Sequence, residues 1–157
     1  MPLPKITEIE WEIVRLLQKN ARATNKELAR AAGIAESTCL ERVRNLRQQG
    51  VISGYHAEVD LAALGRTIRA IITVRLHPKT IESVQAFQAQ VLEEPEVLSV
   101  TTTTGADDFL VDVAVPDVDH LRLFVLERLN GLPDVADTRT SLVYEHRRKT
   151  VVEPVSS

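Results

Sequence analysis

What the chain lacks narrows its reading first. It has one cysteine, Cys39, among 157 residues, which excludes an internal disulfide and a multi-thiolate metal site. Cys39 falls on an apolar helical stripe and reads as a small core residue. The histidines, His56, His77, His120 and His146, are scattered and never form the H-x-x-x-H spacing that seats a metal. There is no G-x-S-x-G, no phosphate-cradling glycine loop and no carboxylate pair with an identifiable proton partner. These absences argue against an enzyme, a resident metal and a cofactor. No apolar run approaches the roughly 18 residues of a membrane span, and no charged segment leads into an apolar signal core. The expected location is therefore the cytoplasm.

Hydrophobic residues make up 44% of the sequence, enough to build one medium domain or two small ones. The formal net charge is -3, and its distribution is uneven. Residues 1–50 carry 9 Lys and Arg against 6 Asp and Glu, whereas residues 51–157 carry 10 against 16. Affinity for a phosphate backbone depends on local cations, so a mildly basic head on an acidic body is compatible with binding DNA. One such head binds weakly. Presenting two or more heads on an oligomer makes the second encounter intramolecular and raises affinity.

The head is read from two capping boxes and a turn. Thr7 with Glu10, and Thr24 with Glu27, each have the T-x-x-E spacing that closes a helix start. Ile6, Ile9, Ile13, Val14 and Leu17 give the first helix an apolar face, and Leu28, Ala29 and Ala32 do the same for the second. Gly33 falls where that helix must stop, in a place suited to positive φ, and Ile34 can turn inward beneath the bend. Cys39, Val43 and Leu46 then repeat at i, i+4 and i+7, which turns Ser37, Thr38, Glu41, Arg44, Asn45 and Gln48 outward. Three helices with a tight turn before the last form a helix-turn-helix, centred on about 25–44. A plain three-helix bundle with a solvated polar face fits the periodicity as well.

The second half changes rhythm. Residues 51–66 mix β-branched and turn residues and read as an extended, strand-like arm and linker. From Thr67, Ile68, Ala70, Ile72, Val74 and Leu76 alternate with polar residues, which predicts a half-buried strand. A helix is predicted over Ile81 to Leu92, ending before Pro95. Strands are predicted over Val97 to Thr104 and Phe109 to Val115, joined by a tight connection at Gly105-Ala106-Asp107-Asp108. A helix over Asp117 to Leu129 and a strand over Asp137 to Tyr144 complete a β-α-β-β-α-β order. The fold class is therefore α+β: a winged-type helix-turn-helix domain over 1–50 and a ferredoxin-like domain over 67–149. One face of such a sheet commonly serves as an interface. Residues 150–157 have little to bury and are expected to form a mobile tail.

The order of these parts, with CLERV in the third helix, then GVISGY, G-x-x-D and DTRT, resembles the Lrp/AsnC family of transcription regulators from about Ile6 to Lys149. The resemblance implies a DNA-reading head and a body that forms homodimers, assembling to tetramers or octamers. It also implies an amino acid or related metabolite as effector. The recognition helix would run from about Glu36 to Gln49, with Ser37, Thr38, Glu41 and Arg44 as base-edge readers. Arg42 matches a family position and either contacts phosphate or braces the core, while Asn45 and Arg47 are phosphate candidates. Ala35 stands where the family usually has a Ser cap, at a replacement cost of about 1 kcal/mol unless Ser37 or water substitutes.

The resemblance places the effector region at Gly105, Asp107, Asp108 and Phe109, together with Thr138 and Thr140. A carboxylate there can pair with an α-ammonium group, and free backbone N–H groups can receive a carboxylate. Ala106 and Asp107 replace the family's frequent Asp and aromatic residues, so a ligand differing from leucine, or an acidic turn with no ligand, remains open. Three functions follow: a sequence-specific regulator tuned by an amino acid, an architectural protein that wraps DNA, and an enzyme resembling siroheme decarboxylases, which look like this architecture. Arg147, Arg148 and Lys149 read as a solvated strand end or a phosphate contact. Trp11 packs in the first helix or between heads.

Overall fold

Both expected capping boxes form in the computed structural model, which describes residues 6–155. Residues 1–5, the start of the expected head, and 156–157, the end of the expected tail, lie outside the described residues. Thr7 caps α1 (Glu8–Lys19), with Glu10 reaching back to the Thr7 N–H at 2.9 Å. Thr24 caps α2 (Asn25–Ala32) in the same way, with Glu27 at 2.7 Å. α3 (Glu36–Gln48) follows after the turn. Ile13, Leu17, Leu28, Ala29, Cys39 and Leu46 form the buried core of the three helices. Cys39 is fully buried, and burial pushes its thiol pKa up, as suits an inert core residue.

The chain divides into two units. The first ends at Glu58 and is rejoined by the chain from Arg147; the second is Val59–His146. The division falls inside the expected arm. Among the described residues the arm has no strand partner, and its regular structure is one 3-10 turn at Ala62–Leu64.

The second unit runs β1 (Ile68–Leu76), α4 (Ile81–Leu92), β2 (Val97–Thr102), β3 (Phe109–Val115), α5 (Val118–Leu123) and β4 (Val135–Leu142). Its sheet has the order β2-β3-β1-β4 with antiparallel neighbours throughout. This is the ferredoxin-like arrangement expected from the sequence. The alternating face of β1 packs with Phe87 and Val91 of α4, and with Leu121, Phe124 and Leu129 beyond. On the other face Arg69, Ile71, Thr73 and Arg75 stand opposite Ala114, Asp112, Leu110 and Asp137. Arg69 and Asp112 make a two-pronged ion pair there, at 2.9 and 2.5 Å.

Three boundaries differ from the sequence reading. β2 ends at Thr102, because Thr103 turns to close the connection. β4 begins at Val135 and ends at Leu142, since Val135 pairs with Leu76 across a bulge between Arg75 and Leu76. The predicted 117–129 helix is split: α5 passes at Phe124 into one π-helical turn, Phe124–Leu129. The wider winding shows in the Asn130 N–H, which donates to the Val125 carbonyl at 2.9 Å. Gly131 follows because a Cβ there would lie 2.6 Å from the Glu127 carbonyl oxygen.

The tail, expected to be mobile, makes a specific contact. The Gln18 side chain accepts from the Val152 N–H at 2.8 Å and donates to the Val152 carbonyl at 3.2 Å. A side-chain amide can meet both backbone groups of one residue in this way, as a neighbouring strand would.

Candidate DNA interface and effector site

The turn that presents α3 is fixed by backbone groups. Gly33 adopts φ 67° and ends α2 in the left-handed region, which favours a residue without Cβ. The Ile34 N–H then donates to the Ala29 carbonyl at 3.0 Å, and Ile34 packs against the head core. The Asn25 amide donates to the Glu36 carbonyl at 2.7 Å, tying the start of α2 to the start of α3. Ala35 makes no side-chain cap, and Ser37 does not take over that role.

Ser37, Thr38, Glu41, Arg44, Asn45 and Arg47 are all exposed on α3. Ser37, Glu41 and Arg44 follow one helical stripe, with Thr38 and Asn45 beside it. Arg42 is placed differently. Its Nη1 lies 3.3 Å from Glu10 Oε1 on α1, with both side chains largely covered, and its Nε is buried without a hydrogen-bond partner. The N–H and hydroxyl of Thr7 hold the Glu10 carboxyl below its ordinary pKa, and the Arg42 charge adds to them against the opposing effect of burial. Arg42 therefore joins the third helix to the first.

The expected effector residues start from one turn but diverge. Gly105 takes φ 117° at the apex. Thr103 closes the turn: its N–H donates to the Asp108 carbonyl at 2.8 Å and its hydroxyl to the Asp107 carbonyl at 2.7 Å. Asp107 receives Arg139 Nη2 on both carboxylate oxygens, at 2.5 and 2.6 Å. Asp108 is buried, accepts from the Leu76 N–H at 2.8 Å and pairs with the Lys79 ammonium. Burial raises its pKa, but Lys79, the Leu76 N–H and the Arg75 charge outweigh burial and hold it below the ordinary value.

Phe109 is fully buried and stacked on Phe87 with ring centres 4.5 Å apart. Its side chain belongs to the body's core and its backbone alone borders the turn. The Thr138 hydroxyl donates to the Asn130 side-chain oxygen at 2.8 Å. Thr140 pairs across from Ile72, so it lies on the sheet face opposite to that of Arg139. The turn and the DTRT strand are thus joined through Arg139 rather than through the two threonines.

Sequence reasoning missed Lys79, Arg139 and Asn130. Arg139 carried a signal, since it stands between Thr138 and Thr140 in an alternating strand. Lys79 carried none, because its approach to Asp108 depends on how the β1–α4 connection folds. Beside Lys79 is a shallow cavity of about 470 Å³, walled by Ile81, Val84, Gln85 and Gln88. Its lining joins the Lys79 cation to an apolar wall and two side-chain amides, while the buried Asp108 carboxylate, paired with Lys79, does not line it.

The four histidines form no ligand set: among the described residues no three metal-binding side chains come together. His120 meets Glu96 instead, at 2.9 Å. No described helix is long and apolar enough to cross a membrane.

Comparison with known proteins agrees with both units. Residues 6–53 match a winged helix-turn-helix DNA-binding pattern, and residues 69–152 match the Lrp/AsnC ligand binding domain. The chain is 41% identical over 143 residues to the HTH-type transcriptional regulator AldR of Mycolicibacterium smegmatis, covering 91% of this chain and 84% of that protein. It is 32% identical over 149 residues to the leucine-responsive regulatory protein of Escherichia coli, covering 95% and 91%. A transcriptional regulator from Neisseria meningitidis, solved as a complex with L-methionine, matches with a TM-score of 0.87 and 28% identity, covering 96% of this chain and 97% of that one.

Proposed function

This chain belongs to the Lrp/AsnC family of transcriptional regulators, and from that premise we propose that it binds specific DNA as a homo-oligomer tuned by a small amino acid. The observation that carries the proposal is the exposed polar stripe of α3, held outward by a turn fixed at Gly33 and Asn25. Ser37, Thr38, Glu41 and Arg44 read base edges; Asn45 and Arg47 contact phosphates. Arg42 contributes by holding α3 on α1. The homodimer, and the tetramer or octamer built from it, supplies the several heads that a weakly basic unit requires. The protein works in the cytoplasm and is not an enzyme, which is supported by the regulatory character of its relatives.

The effector is an amino acid with an apolar side chain. Two relatives support this class: one is named for leucine and one was solved with L-methionine. On this chain the turn at Gly105, Asp107 and Asp108, the backbone at Phe109 and the strand through Thr138 and Thr140 form the responsive region. Lys79 and Arg139 are its cations.

The test is DNA binding to the chain's own upstream region at several salt concentrations, with and without L-leucine and L-methionine, alongside light scattering. Specific regulation requires preference over unrelated fragments, affinity falling steeply with salt, and a change with one amino acid. Equal weak binding to every fragment would sink it. Protection repeating at about 10–10.5 bp over a long region would replace it with an architectural, DNA-wrapping role.

A further inference from the structure

The C-terminal segment returns to the head. The chain leaves the first unit after Glu58 and re-enters it at Arg147, so two covalent connections join the units. A tail that were free would leave the head on one working tether. Here Gln18, on the outer side of α1, satisfies both backbone groups of Val152. Val151 beside it is half-buried. Arg15 on the same helix has its charge favoured first by the hydrogen bonds it donates to the Glu12 carboxylate, with Glu153 of the tail adding attraction. Between α1, the start of the arm and the tail lies a cavity of about 730 Å³, whose lining includes Trp11, Val14, Leu17, Tyr55 and Val152.

We propose that residues 150–155 act as a latch on α1, closed by the Gln18 amide, which gives the head a second tether and restrains it for binding DNA. The physical basis is preorganisation. A head held by both chain connections samples fewer orientations than one held by the arm alone, so paired heads meet two DNA half-sites at lower entropic cost. The latch suits a reversible device, because it rests on two neutral hydrogen bonds and a small apolar contact, each contributing modestly. The strand β4 leads directly through 143–149 into this segment, so the body's last strand and the head's first helix are connected through the latch. The proposal rests on the DNA-binding reading for its consequence, and its structural half stands independently of it.

Trp11 is the chain's sole tryptophan and lines the latched cavity, so its emission reports latch opening without any DNA. Three forms are compared: the natural chain, its Gln18→Ala variant, and a chain ending at Lys149. Opening exposes Trp11, so both changes should shift its emission to the red and steepen acrylamide quenching. Gln18→Ala should add nothing in the chain ending at Lys149, since the partner is already gone. Both should lower DNA affinity by about fivefold, with circular dichroism retaining the helix and sheet signal. Unchanged Trp11 emission in the chain ending at Lys149 would overturn the latch. Altered emission with unchanged DNA affinity would overturn the restraint on the head. Failure of all three forms to bind any DNA would instead defeat the functional reading, leaving the emission to judge the latch alone.

Discussion

Arg42 on α3 and Glu10 on α1 face each other at 3.3 Å, and the same carboxylate closes the capping box with Thr7. One acidic group thus starts the first helix and receives the third. Arg42→Ala should destabilise the head by about 1 kcal/mol, a fall of roughly 4–8 °C in its melting temperature. Arg44→Ala, at an exposed position, should change stability by less than about 0.5 kcal/mol while weakening DNA binding. Thermal unfolding together with gel-shift titration separates the two. A stable Arg42→Ala protein with weakened DNA binding would reassign Arg42 to the phosphates.

Asp108 ties the turn before β3 to the end of β1. Removing its carboxylate in Asp108→Ala leaves the Leu76 N–H without its acceptor and should cost the body about 1–3 kcal/mol. The pH dependence follows from the sign of the shift. The folded-state pKa lies below the ordinary value of 3.8, so this stabilisation is complete above that value and is lost as pH falls through the lower folded value. Melting of the body between neutral pH and the region below 3.8 should therefore fall less steeply in Asp108→Asn than in the natural chain. Parallel acid limbs would remove Asp108 from the acid response.

The same residue marks where sequence reasoning stops. The core face of β1 was legible because Ala70, Ile72, Val74 and Leu76 alternate, and the starts of α1 and α2 were legible because a capping box is a local arrangement. β4 was blurred because it is an edge strand whose residues are mostly exposed, so burial imposes little alternation on it. The π turn at Phe124–Leu129 preserves the apolar spacing of a helix and left no separate mark. Asp108 was readable as a special carboxylate, but its partners, Leu76 and Lys79, are set by tertiary folding. The tail looked unoccupied for the same reason: Gln18 is 134 positions from Val152.

Gly33 offers a test of the turn with little steric complication. A Cβ added there would meet nothing within 4 Å, yet φ is +67°. Gly33→Ala should therefore cost roughly 1 kcal/mol through backbone conformation alone. Chemical denaturation should show a lower midpoint with an unchanged slope. A midpoint equal to that of the natural chain would mean that the turn relaxes to accept the side chain.

Ala35 points to an improvement in the recognition helix. Its φ of -66° and ψ of 149° are those of an N-cap, but it has no oxygen to offer the first turn of α3. Ala35→Ser supplies an acceptor for the N–H of Ser37 or Thr38 without changing the backbone, and should stabilise the head by about 1 kcal/mol. The melting temperature should rise by roughly 4–8 °C. Ala35→Val, equally compatible with an extended backbone but without an acceptor, should give no such rise. If serine and valine raise stability equally, packing at the turn rather than the missing hydrogen bond governs the start of α3.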